Sequence, residues 1–286
     1  VTDGAIALTR RTVDAGGYRL SYLEAGPPDG PVVLLLHGLV SDGTTWQPAM
    51  ESLAALKLRV IALDLLGHGE SDQPRIAYSL EDFAASISAF LAALEIPDAT
   101  VVGHSLGGAI AMVFAHDYAD QAARLVLVAS GGLGKQVHLV LRGATLPGAQ
   151  TVLRLVVNRR TAPVYTRPAL HRALRLRPEA VSNLARIGRS LLTEAGRSTF
   201  IAAATSVIGP RGQLGSMIEL DYLAADRPTL IIWSERDPII PVEHAHATHA
   251  HLPRSQLELL PGSSHEPHRR HAVRVAETVA QLVRRS

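Results

Sequence analysis

Six short apolar runs punctuate the chain: PVVLLLHG (residues 31–38), RVIALDLLG (59–67), ATVVGHS (99–105), ARLVLVAS (123–130), PTLIIWSERD (228–237) and SQLELLPGSSH (255–265). Unbroken runs of this length, rich in Val, Ile and Leu, predict strands buried on both faces of a parallel sheet, because a half-exposed strand would alternate with polar residues. GYRLSYLEAG (17–26) does alternate and predicts one half-buried strand, followed by a Pro/Gly/Asp turn at 27–30. Helical patterns fill most spacers: 79–94, where Ser79 and Asp82 make a capping-box-like start, then 107–118, 241–251 and a last helix from Glu266 with basic residues near its end. Strand and helix alternation predicts an α/β fold with a doubly wound, mostly parallel sheet.

One segment breaks the rhythm. Residues 134–212 hold no convincing strand, and their Leu/Arg patterns, interrupted by Pro147, Pro163, Pro168 and Pro178, predict a mostly helical insertion between two strands. The domain division expected is core 1–132, insertion 133–212 and core 213–286. Charge sharpens this picture. The chain carries a net +2, yet residues 135–200 hold Lys135 and eleven arginines against Glu179 and Glu194, a local +10 that leaves −8 for the remainder. Solvated arginines on amphipathic helices explain most of this; attraction of an anionic substrate or a lipid surface is the sharper reading. No nucleic-acid motif accompanies the arginines, so no nucleic-acid partner is expected.

Composition adds exclusions. With 286 residues and 47% hydrophobic content the chain can bury a sizeable core. Zero cysteines exclude disulfides, thiolate metal sites and a cysteine nucleophile. No cationic leader with a following apolar region opens the sequence, and a cytoplasmic location is the default expectation. Residues 99–116 carry no charge, a length at which a membrane span must be considered. Gly103, His104, Ser105, Gly107 and Gly108 gather at one end, which suits a buried strand, a sharp turn and a buried helix, and no stable membrane insertion.

That turn carries the candidate chemistry. Gly103-His104-Ser105-Leu106-Gly107 is a G-x-S-x-G stretch between an apolar strand and an apolar helix, the context in which a serine hydroxyl is presented at the carboxyl edge of a sheet. The helix start behind it offers free amide donors for an oxyanion. A serine is a weak nucleophile and needs a base, which in turn needs an orienting acid. Asp237 and His265 follow later strands, giving the chain order Ser, acid, His. Glu235 and Asp226 are alternative acids, and His268 is an alternative base. The tract EHAHATHAH raises a metal site, but on a helix His244, His246, His249 and His251 point at about 0, 200, 140 and 340 degrees. Two ligands on one face make a weak site, so the tract reads as surface histidines and no metal or other cofactor is expected. Asp64 and His68 read as fixing a turn beneath the pocket. Trp46 and Trp233 suit pocket or core equally.

The sequence resembles the α/β-hydrolase family, in its cap-bearing serine esterase and lipase-like branch. The resemblance spans essentially the whole chain through His37-Gly38, DLLGHGESD (64–72), GHSLGG (103–108), WSERDPIIP (233–241) and GSSHEPH (262–268). It implies a helical cap over the active site where the insertion falls. It implies Ser105 as nucleophile, His265 as general base and then acid, and Asp237 as the group that fixes the imidazole tautomer. The implied oxyanion hole uses the backbone N–H groups of Leu39 and Leu106, and the implied substrate pocket includes His37, Gly38, His104 and Trp46. The activity implied is cleavage of a small-molecule carboxylic ester, lipid-like or anionic, through an acyl-enzyme. Thioesterase, lactonase, carbon–carbon bond hydrolase and cofactor-free perhydrolase chemistry use the same triad. The loop HGLVSDGTTW (37–46) lacks the glycine-rich form expected of the carbon–carbon hydrolases, and a dehalogenase or epoxide hydrolase would place Asp where Ser105 stands. A ligand-binding receptor with vestigial hydrolysis is the reading from a different class, and the complete set of Ser, acid and His weighs against it.

Overall fold

The computed structural model describes residues 7–158, 160–161, 187–188, 190–215, 227–252 and 254–285. Eight strands form one sheet: β1 (Thr9–Ala15), β2 (Tyr18–Ala25), β3 (Val32–Leu36), β4 (Arg59–Leu63), β5 (Ala99–His104), β6 (Ala122–Val128), β9 (Thr229–Ser234) and β10 (Gln256–Leu260). Their spatial order is β1-β2-β4-β3-β5-β6-β9-β10. The first two pairings, β1 with β2 and β2 with β4, are antiparallel, and the rest are parallel. Helices α1 (Gln47–Ala55), α2 (Leu80–Ala93) and α3 (Leu106–Asp117) lie in the first half of the chain.

All six apolar runs become strands, and five of them are buried along most of their length. The sixth, β10, is only half-buried because among the described residues it closes the sheet as an edge. The capping box at Ser79 and Asp82 is formed, with the Asp82 N–H donating to Ser79 Oγ and the Ser79 N–H donating to Asp82 Oδ2. Two cores flank the sheet. One packs α2 and α3 against Leu34, Leu36, Ile61 and Val101. The other packs α1 and the last helix against Val33, Leu35, Val60 and Val102, the alternate residues of the same strands.

Between β6 and β9 the chain leaves the sheet. The described part of this insertion contains α4 (Leu139–Gly143), α5 (Ala149–Val156) and α6 (Glu194–Val207), followed by a two-residue hairpin, β7 (Ile208–Gly209) with β8 (Gly212–Gln213). That hairpin departs from the expectation of a mostly helical insertion with no convincing strand; Gly212, at φ 122°, occupies a backbone region open chiefly to glycine where β8 leaves the turn. Pro163, Pro168 and Pro178 lie outside the described residues, as do Glu179 and most of the arginines of the basic segment. Helix α6 seats on the core through Phe200, packed with Val40, Leu191 and Ala204, and Thr199 Oγ1 donates to Tyr78 Oη at 3.3 Å. Gln213 ties the hairpin to the start of this segment. Its side-chain oxygen accepts from the Gly132 N–H at 2.6 Å, its amide nitrogen donates to Gly134 O at 2.7 Å, and its backbone N–H donates to Lys135 O at 3.0 Å.

The chain closes with α7 (Glu243–His251), α8 (Pro267–Arg270) and α9 (Ala272–Arg284). The histidine tract on α7 corrects the surface reading: His244 is buried, with its Nε2 at 2.8 Å from Gln136 Oε1, because α7 turns His244, Ala245 and Thr248 inward. His246 and His251 are exposed, and His249 is half-buried beside Ser255 Oγ. Among the described residues no helix is long and apolar enough to cross a membrane.

Candidate active site

Ser105 sits between β5 and α3 with φ 53° and ψ −117°, a conformation that costs an L residue of order 1–3 kcal/mol and persists only where its surroundings over-determine it. They do so here. The Ser105 N–H donates to Val128 O at 3.1 Å, and Ser105 O accepts from the Gly108 and Gly131 N–H groups at 2.9 and 2.8 Å. The glycines at either side have the steric role expected of them. A Cβ on Gly103 would lie 2.2 Å from Gly107 O, and one on Gly107 would lie 2.5 Å from Leu36 O. Gly38 also approaches, less closely, since its Cβ would lie 3.1 Å from that of Ser105. Ala129, at the end of β6, shares the strain with φ 45°.

The structure brings the three residues of the expected relay together. His265 Nε2 lies 3.1 Å from Ser105 Oγ, and His265 Nδ1 lies 2.8 Å from Asp237 Oδ2. The Asp237 side chain is buried, and its second oxygen accepts from the Ile239 and Ile240 N–H groups at 2.7 and 3.1 Å. A carboxylate so placed accepts a hydrogen bond from Nδ1–H, which leaves Nε2 as the acceptor facing the serine hydroxyl. Two backbone bonds, Glu235 N–H to Leu260 O at 3.0 Å and Arg236 N–H to Gly262 O at 3.2 Å, hold the two loops side by side. Trp233 is buried and donates from its ring nitrogen to Ile240 O at 3.1 Å, so it braces the Asp237 loop from within the core.

The alternatives separate by position. Glu235 is exposed on the same loop, and Asp226 lies outside the described residues. His268 is buried behind the site, with Nε2 at 3.1 Å from Thr45 Oγ1 and its ring 4.5 Å from that of His104. The sequence offered this histidine only as an alternative base; the aromatic and hydroxyl pair Thr45-Trp46 on another loop gave no signal that it would pack there.

A cavity of about 260 Å³ opens at Ser105. Leu39 and Leu106 line it, and neither backbone N–H is taken up by a turn or helix bond among the described residues. The rest of the wall is largely apolar and comes from both core and insertion, with Ala109 and Ile240 on one side and Leu141, Val207 and Leu214 on the other. No charged side chain lines it among the described residues. The four expected pocket residues lie elsewhere. Trp46 is buried in the opposite core and its ring stacks 4.1 Å from His268. His37 is buried with Nδ1 on Gly38 O and Nε2 accepting from the Leu65 N–H at 3.0 Å, which turns its ring away from the cavity. His104 directs Nε2 to His265 O at 2.7 Å, and Gly38 presses against His104 and Ser105 instead of forming wall. These residues support the site from behind.

Asp64 is buried and holds its turn as expected: its oxygens accept from Gly43 N–H, Glu70 N–H and Arg10 Nη1 at 2.7, 3.0 and 2.7 Å. His68 is buried beside it, and burial, helped by the neighbouring His37, pushes its pKa down to about 3. Above pH 6.5 folded and unfolded chains both keep this ring neutral. Below it the unfolded chain takes up a proton that the folded ring refuses, so stability falls by about 1.4 kcal/mol per pH unit until pH nears 3. Urea midpoints at pH 7 and 5 should show wild type losing about 2 kcal/mol more than His68→Gln. Parallel losses would remove His68 as the cause.

A serine on a strand-to-helix turn, backed by a histidine and a buried carboxylate at the carboxyl edge of a parallel sheet, is an arrangement that can carry nucleophilic chemistry. Comparison with known proteins agrees with the architecture. A family model for the alpha/beta hydrolase fold matches residues 31–271, and the chain belongs to that family. It is 38% identical over 260 residues to an uncharacterised protein of Mycobacterium tuberculosis, a match covering 88% of this chain and 74% of the relative. A thermophilic esterase from Thermogutta terrifontis has a TM-score of 0.73 at 24% identity, covering 96% of this chain and 98% of that one. A meta-cleavage product hydrolase from Pseudomonas fluorescens IP01 has a TM-score of 0.72 at 23% identity, covering 96% and 97%. These two likenesses concern the fold.

Proposed function

We propose that the chain hydrolyses uncharged carboxylic esters with an apolar acyl group, through an acyl-enzyme on Ser105. The observation that carries this reading is the Ser105–His265–Asp237 relay opening onto a cavity with no charged wall among the described residues. Ser105 Oγ attacks the acyl carbonyl while His265 Nε2 takes its proton. The Leu39 and Leu106 N–H groups hold the oxyanion. Collapse of the intermediate expels the alcohol, which receives the proton from His265, and leaves the acyl group on Ser105. A water then gives its proton to Nε2, adds to the acyl carbon and releases the carboxylic acid, with Ser105 reprotonated. Residues 133–212 act as a cap that shapes the acyl pocket, since Leu141, Val207 and Ile208 supply part of its wall.

The uncharged lining favours a neutral acyl group over an anionic one inside the cavity. Of the described arginines in the basic segment, Arg197 is spent on the Leu191 and Leu192 carbonyls at 2.8 and 3.0 Å, and Arg142 on Pro210 O at 2.8 Å. A fluorophosphonate should label Ser105 alone, read by peptide mass spectrometry. Turnover of p-nitrophenyl esters should rise with acyl length and then drop once the chain exceeds the cavity, with dicarboxylate half-esters poor throughout. Unlabelled protein, or cleavage of a vinylogous diketone in preference to every ester, would replace this reading with a binding role or carbon–carbon bond hydrolysis respectively.

A further inference from the structure

We propose that the outer face of α4 and α5 docks on an anionic lipid surface and brings the mouth of the cavity against it. Six large apolar side chains stand exposed on this short stretch: Leu139, Val140, Leu146, Val152, Leu155 and Val156, with Val140 at 73% and Leu155 at 69%. Monomeric proteins rarely leave so many together without a partner for them. On α5 the exposed residues follow the i, i+3, i+4 spacing of one helix face, whereas Leu153, on another face, packs toward α6 with Phe200 and Ala204.

Charge identifies the occupant. Residues 121–178 contain no Asp or Glu, while Lys135, Arg142, Arg154, Arg159 and Arg160 fall in or beside the exposed stretch. Lys135, Arg154 and Arg160 are exposed. Leu and Val on one side of a helix with Arg at its flanks is the pattern of a segment lying in a lipid interface, where the apolar face enters the acyl boundary and the cations meet anionic headgroups. A protein partner with an apolar groove would not require a stretch of this length free of acidic residues.

The patch is also continuous with the cavity. Leu141 lines the interior while its neighbour Val140 is exposed, and Leu214 both lines the cavity and stands exposed. Arg142 fixes this geometry by bonding Pro210 O, which ties α4 to the turn of the β7–β8 hairpin. Docking would set the apolar rim against lipid, so that an apolar acyl chain passes from membrane to Ser105 without crossing water.

The test is co-sedimentation of the full chain with vesicles of phosphatidylcholine alone and of phosphatidylcholine mixed with phosphatidylglycerol. Partition into the mixed vesicles should exceed that into the neutral ones by about tenfold and fall in high salt. Val140→Asp/Leu155→Asp should lose the binding, and Arg154→Gln/Arg160→Gln should lose its preference for phosphatidylglycerol, both with unchanged far-UV circular dichroism. Ser105→Ala should bind like wild type, which separates this surface from the reaction proposed above. Equal pelleting with both vesicles, undiminished binding by the aspartate variant, or self-association through this face in place of vesicle binding would overturn the proposal.

Discussion

Ser105→Ala is expected to lower turnover of p-nitrophenyl esters by roughly a millionfold while leaving the fold intact, because alanine at φ 53° carries the same backbone strain as serine. The loss is so large because the nucleophile cannot be replaced in kind. Water in its place would have no position fixed by the Val128, Gly108 and Gly131 bonds that hold Ser105. Asp237→Asn should cost about ten-thousandfold, since an amide at that position no longer selects the tautomer in which Nε2 faces Ser105 Oγ. Stopped-flow measurement of the p-nitrophenol burst distinguishes the steps: wild type shows it whenever deacylation is the slower step, and Ser105→Ala shows none. A near-normal rate in Ser105→Ala would dismiss the acyl-enzyme outright.

The largest stability effect belongs to a methyl group. Gly103→Ala would place a carbon 2.2 Å from Gly107 O and 2.6 Å from Gly108 Cα, both backbone atoms of the helix that follows the serine. No rotamer change relieves such a clash; α3 must move off β5. We expect a loss of about 3 kcal/mol, read from urea or guanidinium midpoints, at the upper end of what overpacking costs. Gly107→Ala should behave similarly, through Leu36 O at 2.5 Å and His37 O at 2.6 Å. Gly143→Ala is the control, because nothing lies within 4 Å of its added carbon. If Gly103→Ala unfolded at the wild-type midpoint, close packing at this turn would not be what requires glycine there.

What could be read beforehand follows physical lines. Strands buried on both faces announce themselves in composition, and the Ser, acid and His each follow such a strand, so the meeting of Ser105, Asp237 and His265 was legible before any coordinates. Strand β1 was not, because TRRTVDA is an edge strand whose side chains are mostly solvated and carry little hydrophobic signal. Helix α1 escaped notice for a related reason: its amphipathic pattern is weak and Pro48 stands in its first turn. The pocket was misread because facing is decided by loop geometry. His37 and Trp46 lie within ten residues in sequence, yet one is turned by a bond from Leu65 and the other packs on the far side of the sheet. Part of the true wall, Val137, Leu141, Val207 and Ile208 among it, comes from the segment between β6 and β9, whose side chains are placed by packing against loops distant in sequence.

The Gln213 bonds to Gly132, Gly134 and Lys135 close the intervening segment into a loop whose two ends are held at one gate of hydrogen bonds. Closing a chain between fixed ends costs an entropy that grows only logarithmically with the number of residues enclosed, so lengthening, shortening or exchanging the insertion changes stability little once the gate is kept. A chimera carrying another insertion between Gly132 and Gln213 would inherit an unaltered Ser105–His265–Asp237 geometry and a new pocket wall. Substrate range and reaction chemistry are thus separable traits, free to change at different rates from one lineage to the next.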